Sequence, residues 1–151
     1  MNIYIGADHA GYDLKEQLEA YLLGGEHKVK DLGNIEYDKN DDYPFYADKV
    51  AEAVAADPGS RGILSCGNAE GVTIVANKTK GVRAALGFSV EAAKTTRADD
   101  DANIICLPGR MMTYDDAIKI VDMFLNTPFS NEPRHKRRLE QLEDIEDENM
   151  K

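Results

Sequence analysis

Positive charge is scarce in this sequence. Its 151 residues carry 18 lysines and arginines against 28 aspartates and glutamates, for a formal net charge of −10 and an isoelectric point near 4.7. Nucleic acids and anionic membrane surfaces need cations spread over one face, so this balance argues against both and favours a small-molecule partner. Long apolar runs are missing too, and no stretch is long enough to span a bilayer. The opening Met1-Asn2-Ile3-Tyr4-Ile5 enters a strand pattern directly, without a basic segment followed by a long apolar one, and this points to the cytoplasm. Cysteine is limited to Cys66 and Cys106, in separate strand-like runs, and both read as free thiols. Several motifs are absent. Gly6-Ala7-Asp8-His9-Ala10-Gly11 lacks the central glycine of a dinucleotide fingerprint, no Gly-Lys-Ser/Thr phosphate loop occurs, and the His and Cys spacings assemble no zinc site. There is no internal repeat, and only the acidic tail from about residue 140 to 151 is low in complexity. The expectation is one domain over residues 1–151, large enough to bury a core without staples.

What is present alternates. Short apolar runs at Ile3–Ile5, Val29–Gly33, Ile63–Cys66, Val82–Leu86 and Asn103–Leu107 read as strands. Between and after them lie helical patterns: Asp13 with Glu16 as a capping pair ahead of Leu14, Leu18 and Leu22; Pro44 ahead of Ala47, Val50, Ala51 and Val54; Ser89 capping a helix to about Arg97; Thr113 with Asp116 ahead of Ile120, Val121 and Phe124; and a last helix from about Pro133. The loop from Asn34 to Asp42 is polar and reads as mobile. Such alternation predicts an α/β fold with a parallel sheet covered on both faces. Asp8-His9, Cys66 to Glu70, Asp99 to Asp101 and Arg110 all flank strands, which places most of them along one rim.

The chemistry centres on Cys66. It ends an apolar run where Gly67 and Gly71 turn the chain into a helix, whose positive end favours a thiolate. Asn68 is placed to donate a hydrogen bond to a developing oxyanion. A buried, inert thiol is the commoner fate of such a cysteine, and Cys106 is read that way. Asp8-His9 is either a turn capped by its aspartate or a pair that binds sugar hydroxyls or shuttles protons. Arg134 and Arg138 lie one helical turn apart; they either pair with the acidic tail or clamp a phosphate, with Arg110 as a third arm.

These residues resemble a known family. Gly6-Ala7-Asp8-His9-Ala10-Gly11, Leu14-Lys15, Asp42-Tyr43-Pro44, Cys66-Gly67, Ala76-Asn77-Lys78, Gly81 with Arg83-Ala84-Ala85, Ala102-Asn103, Gly109-Arg110 and Arg134-His135 with Arg138 are similar, in order, to the type B ribose-5-phosphate isomerases and the galactose-6-phosphate isomerase subunits. The resemblance implies a three-layer α/β/α sandwich around a five-stranded parallel, Rossmann-like sheet, a C-terminal helix extending to a partner subunit, a homodimer or tetramer, and no metal or organic cofactor. It also implies roles. Cys66 matches the base that moves a proton between C2 and C1 through an enediolate, and Gly67 to Gly71 match the loop whose amides hold the enediolate oxygen. Asp8, His9 and Tyr43 match sugar- and phosphate-contacting residues, and Arg110, Arg134 and Arg138 match phosphate ligands. The segment matching Asp99, Asp100 and Arg110 reaches the site from the partner.

Three positions depart from the family pattern. Asn68 stands where a Thr or Ser is usual, Val72 where some members carry a glutamate base, and Asp99-Asp100 where the family has His-Asn. The histidine is the family's ring-opening group. Its replacement leaves three expectations: an isomerase in which Asp99 opens the ring, an isomerase for a sugar phosphate needing no ring opening, such as a tetrose 4-phosphate, or a subunit silent without a partner. A sugar-phosphate sensor without chemistry is the remaining class.

Overall fold

The computed structural model describes residues 1–150. Strands β1 (Asn2–Ala7), β2 (Lys28–Asp31), β3 (Arg61–Cys66), β4 (Ala84–Leu86) and β5 (Ile104–Pro108) alternate with helices α1 (Tyr12–Leu23), α2 (Tyr43–Ala56), α3 (Glu70–Ala76), α4 (Val90–Asp100) and α5 (Tyr114–Asn126), and α6 (Pro133–Asn149) follows. The strands form one sheet in the order β2-β1-β3-β5-β4, and every pairing is parallel.

Side chains alternate across a strand, so each buried strand feeds two cores. Ile3, Ile5, Ile63, Ile105 and Leu107 face one side with Leu14, Leu18 and Leu22 of α1 and Ile120, Val121 and Phe124 of α5. Leu64, Cys66, Ile104 and Cys106 face the other with Ala47, Val50, Ala51 and Val54 of α2 and Val72 and Ala76 of α3. The result is the expected three-layer α/β/α sandwich. Helices α1 and α3 leave the sheet on opposite faces after β1 and β3, which are neighbours. The carboxyl ends of these two strands therefore form a topological switch point, where a crevice opens.

Several local expectations need correction. Asp13 does not cap α1: the cap position is Gly11, which has no side chain, and Asp13 lies inside the first turn. By contrast, Ser89 accepts from Ala92 N–H and Thr113 from Asp116 N–H, as their side chains predict. Helix α4 runs three residues beyond Arg97 and takes in Asp99 and Asp100, with Asp101 as a left-handed cap at φ 47°. The extension is held by Arg97, whose Nη1 donates to Asp101 at 2.8 Å and to Ala102 O at 2.6 Å. Because α4 runs back against the strands, its end lies at their amino edge. Asp99, Asp100 and Asp101 therefore occupy the rim opposite Cys66. The loop before α2 is also tied down, as described below.

Three backbones meet above β3. A Cβ on Gly11 would lie 2.5 Å from Ser65 O, and one on Gly109 would lie 2.5 Å from Ala10 O. Ser65 is held in place, since its O accepts from Asp8 N–H and its Oγ donates to Leu107 O at 2.8 Å. Gly11→Ala is expected to lower stability by about 1–3 kcal/mol, the range for forced overpacking, read as a fall in the urea midpoint. An unchanged midpoint would show that the loops yield freely.

Candidate active site

Four loops converge on the switch point. They enclose a cleft of about 400 Å³ whose lining includes Asp8, His9, Tyr43, Cys66, Asn68 and Arg110, with Gly67, Gly71, Ala10 and Met111 completing it. Cys66 is 4 % exposed and sits on the floor. Its thiol faces Asn68 Oδ1 at 3.8 Å. The Asn68 carboxamide is oriented from its other side: Oδ1 accepts from Glu70 N–H at 3.1 Å, and Nδ2 donates to the Glu70 carboxylate at 3.3 Å. The carboxamide thus offers its oxygen, not its N–H, to the resting thiol. Ala69, at φ 67°, makes the left-handed turn that lifts this loop into α3.

The second thiol has a different setting. Cys106 lies in the core beneath, and burial pushes its pKa up to about 12, so it is inert.

His9 projects from the turn after β1. Asp8 spends Oδ1 on that turn, accepting from Ala10 N–H at 2.9 Å and Gly11 N–H at 3.2 Å. His9 in turn is held by Asp41, which accepts from its backbone N–H at 2.8 Å and from Nδ1 at 2.7 Å. The other Asp41 oxygen accepts from buried Asn34 Nδ2 at 2.9 Å. Asp41 has no signal of its own among the acidic residues of its loop, and only the folded chain brings it to His9. The hydrogen bond to Asp41 raises the His9 pKa; desolvation opposes it, the charges of Asp8 and Asp41 reinforce it, and Arg110 opposes it. Asp8, His9 and Asp41 lie close enough together to suit a metal ion, as do Glu16, Glu19 and Asp31 among the described residues. In the first group the hydrogen bonds just named occupy Asp8 Oδ1, both Asp41 oxygens and His9 Nδ1. In the second, Lys15 is buried against Asp31 and Glu16.

Tyr43, the first residue of α2, lies over Gly71: a Cβ there would meet its ring at 2.7 Å. Arg110 packs on Gly67, its Cδ 3.3 Å from where a Cβ would stand, and its N–H donates to Gly67 O. Arg110 therefore serves the cleft of its own chain, contrary to the expectation that it enters a partner's. Arg134 and Arg138 do not join it. Helix α6 begins beside the end of α4, where His135 Nε2 lies 3.7 Å from Asp99 Oδ1 and Arg138 acts with His135 on Asp100. Asp100 is itself raised, by burial and then by Asp99. The residues singled out in the sequence thus fall on opposite rims: Cys66, Asn68, Asp8, His9, Tyr43 and Arg110 on one, and Asp99, Asp100, Arg134 and Arg138 on the other.

A cleft at the switch point of a doubly wound sheet, with a cysteine and a histidine–carboxylate pair on its walls, defines a small-molecule α/β enzyme. The comparisons narrow this. The model of the Ribose/Galactose Isomerase family matches residues 3–142. Ribose-5-phosphate isomerase B of Mycolicibacterium paratuberculosis is 44 % identical over 146 residues, 97 % of this chain and 92 % of the relative. The crystal structure of ribose-5-phosphate isomerase B from Mycoplasma genitalium with bound ribulose-5-phosphate superposes with a TM-score of 0.94 at 42 % identity, covering 98 % of this chain and 97 % of that one. The ribose 5-phosphate isomerase of Thermotoga maritima superposes at 0.90 with 40 % identity, covering 95 % and 97 %. The chain belongs to the ribose/galactose isomerase family, and it is an aldose–ketose isomerase.

Because its native pKa is raised, protonated His9 contributes stability that is fully present below the unfolded value of 6.5 and is lost as pH rises through the higher folded value. Asp41→Asn is expected to lower the His9 titration midpoint, read by proton NMR of the ring. The stability gap between the native and variant chains is expected to narrow as pH rises through the His9 midpoint. A midpoint that stays put would remove the pairing.

Proposed function

We propose that the chain interconverts ribose 5-phosphate and ribulose 5-phosphate, with Cys66 as the base. The observation that carries this reading is the position of Cys66 on the floor of the switch-point cleft, in a fold matching a relative that holds ribulose-5-phosphate. The Cys66 thiolate removes the C2 proton of the open-chain aldose, and the electron pair forms the C1–C2 double bond of an enediolate while charge moves to O1. Return of the proton to C1, with transfer of the O2 proton to O1, leaves the ketose. Carbon acidity comes from the adjacent carbonyl, so what the chain must supply is a positioned base and donors for the oxyanion. Amides of the Gly67–Gly71 loop hold that oxygen. Asn68 holds the resting thiol through Oδ1, and a turned carboxamide presents its N–H to the anion. Asp8, His9 and Tyr43 take sugar hydroxyls, and Arg110 takes phosphate.

The remaining ligands come from a second copy. Arg134 and Arg138 as phosphate donors and Asp99 and Asp100 at the ring oxygen lie on the opposite rim of their own chain, so a two-fold homodimer brings them over the partner's cleft. Exposed apolar side chains, Met111 at the cleft, Ile74 on α3, and Leu86, Phe88 and Val90 at the carboxyl end of the edge strand β4, provide surface for it to cover. Asp99 acts as the ring-opening group in place of an imidazole. A cytoplasmic setting suits both free thiols. No helix among the described residues is long and apolar enough to cross a membrane.

Cys66→Ala is expected to lower turnover by about 10²–10⁴-fold, the usual contribution of a general base, with far-UV circular dichroism unchanged. Loss of deuterium exchange at C2 in heavy water is the direct readout, and retained exchange would refute the base. Ribose 5-phosphate and a four-carbon aldose phosphate are assayed side by side: turnover of the tetrose alone would move the substrate to one that cannot close a furanose. Substrate binding with no exchange at all would leave a sensor.

Mixing inactive Cys66→Ala and Arg134→Ala chains is expected to recover roughly a quarter of native activity, since random pairing gives one intact site in half of the two-fold dimers. No recovery from exchanged dimers would place both residues in one chain's site.

A further inference from the structure

At the amino end of β3 and β4, three guanidinium groups lie around one carboxylate, and two of them bond it. Arg83 Nη2 lies 3.1 Å from one oxygen of Asp101 and Arg97 Nη1 lies 2.8 Å from the other, so both oxygens are engaged. Arg61 is the third. Its Nη1 turns back to the carbonyls of Ser60 at 2.8 Å and Gly59 at 3.4 Å, while its Nε is buried without a partner. Burial holds the Arg61 pKa below its ordinary value; Arg97 adds to the effect, Asp101 opposes it, and Arg83 adds again. Asp101 is thus the one carboxylate acting on Arg61 among the described residues, and it is already bonded to the two other arginines. Ser60, 3 % exposed, has a hydroxyl that also lacks a partner. Between these groups lies a cavity of about 240 Å³ lined by Ser60, Arg61, Arg83, Asp101 and Asn103, with Val54, Ala55 and Pro58 closing its apolar side.

A desolvated cation facing two others is costly, and the cost falls if an anion meets it. Arg83 is already anchored: Nε donates to the carbonyls of Asp100 and Asp101 and Nη2 to the Asp101 carboxylate, which leaves its Nη1 for a ligand. We propose that this cavity binds a free tetrahedral oxyanion, phosphate or sulfate, between Arg61 and Arg83, with the Ser60 hydroxyl turning to donate as a further arm. The planar guanidinium fork suits such an ion, and the apolar closing wall leaves no donors for the hydroxyls of a larger ester. The site lies on the rim opposite the catalytic cleft and does not rest on the catalytic reading. Through Arg83 it touches the end of α4, the segment that carries Asp99 and Asp100.

The test is thermal unfolding of the full chain and of Arg61→Gln in anion-poor buffer, then with inorganic phosphate and with sulfate in separate arms. In anion-poor buffer the variant is expected to melt higher, because crowding of cations is relieved. With phosphate or sulfate at about ten times Kd, the native chain is expected to gain roughly 4 °C more than the variant. Phosphate binding in the catalytic cleft raises both chains alike, so the difference isolates this cavity. Crystals of the native chain soaked in tungstate provide a second readout that needs no variant: anomalous density between Arg61 and Arg83 supports the site. Equal gains in both chains and both arms, or density confined to the catalytic cleft, would overturn it. Neither measurement involves turnover, so failure here and failure of the isomerase reading are separate events.

Discussion

Everything at the cleft depends on three stretches of backbone packed against one another at the carboxyl ends of β1, β3 and β5. Gly11 rests on Ser65 and Gly109 on Ala10 with no room for a methyl group, and the Ser65 hydroxyl ties β3 to Leu107. Side chains cannot separate these loops, so the cleft-lining groups they carry are held at short range by main chain alone. Cys66 and Arg110 each directly follow a member of this junction, Ser65 and Gly109, and His9 directly precedes another, Ala10. Their mutual placement is therefore set by the sheet rather than by a ligand, which is the preorganisation that a small-molecule enzyme needs.

Charge placement shows a second constraint. An acidic chain repels a phosphorylated sugar unless its few cations are focused, and here they are divided between two rims. Arg110 stands in the cleft, while Arg134 and Arg138 sit beside Asp99 and Asp100 at the far end of α4. Acidic residues in a last helical turn oppose the helix dipole. That cost is offset locally by Arg97 inside α4, Arg83 from the start of β4 and His135 from α6. The proposed pairing of two copies would use this arrangement, bringing the groups crowded at one rim to the other chain's cleft.

How much was legible depended on how local the cause was. The strands were readable because each is a short apolar run, and Ser89 and Thr113 cap their helices through bonds that span three residues. Cys66 and Gly67 stood out for the same reason: a strand, a glycine turn and a helix start follow one another without a gap. The misses were non-local. Asp13 looked like a cap, but the packing of Gly11 on Ser65 starts α1 one residue before it. The Asn68 carboxamide is turned by Glu70, whose N–H and carboxylate it engages, and no spacing rule announces that pairing. Asp41 and Asn34 looked like part of a mobile polar loop, whereas Asp41 binds His9, thirty-two residues away, as well as Asn34, seven away.

By itself the sequence determined the alternation of elements, and with it the parallel sheet, the two cores and the strand end on which the cysteine sits, because these follow from periodicity and from groups a few residues apart. Only the tertiary structure decided which polar groups meet. It joined His9 to Asp41, laid Tyr43 across Gly71, set Arg110 beside Gly67, and sent Asp99, Asp100, Arg134 and Arg138 to the opposite rim. Strand direction is the physical reason: a helix that returns antiparallel to its strand carries its last turn to the other end of the sheet, a displacement with no trace in residue spacing.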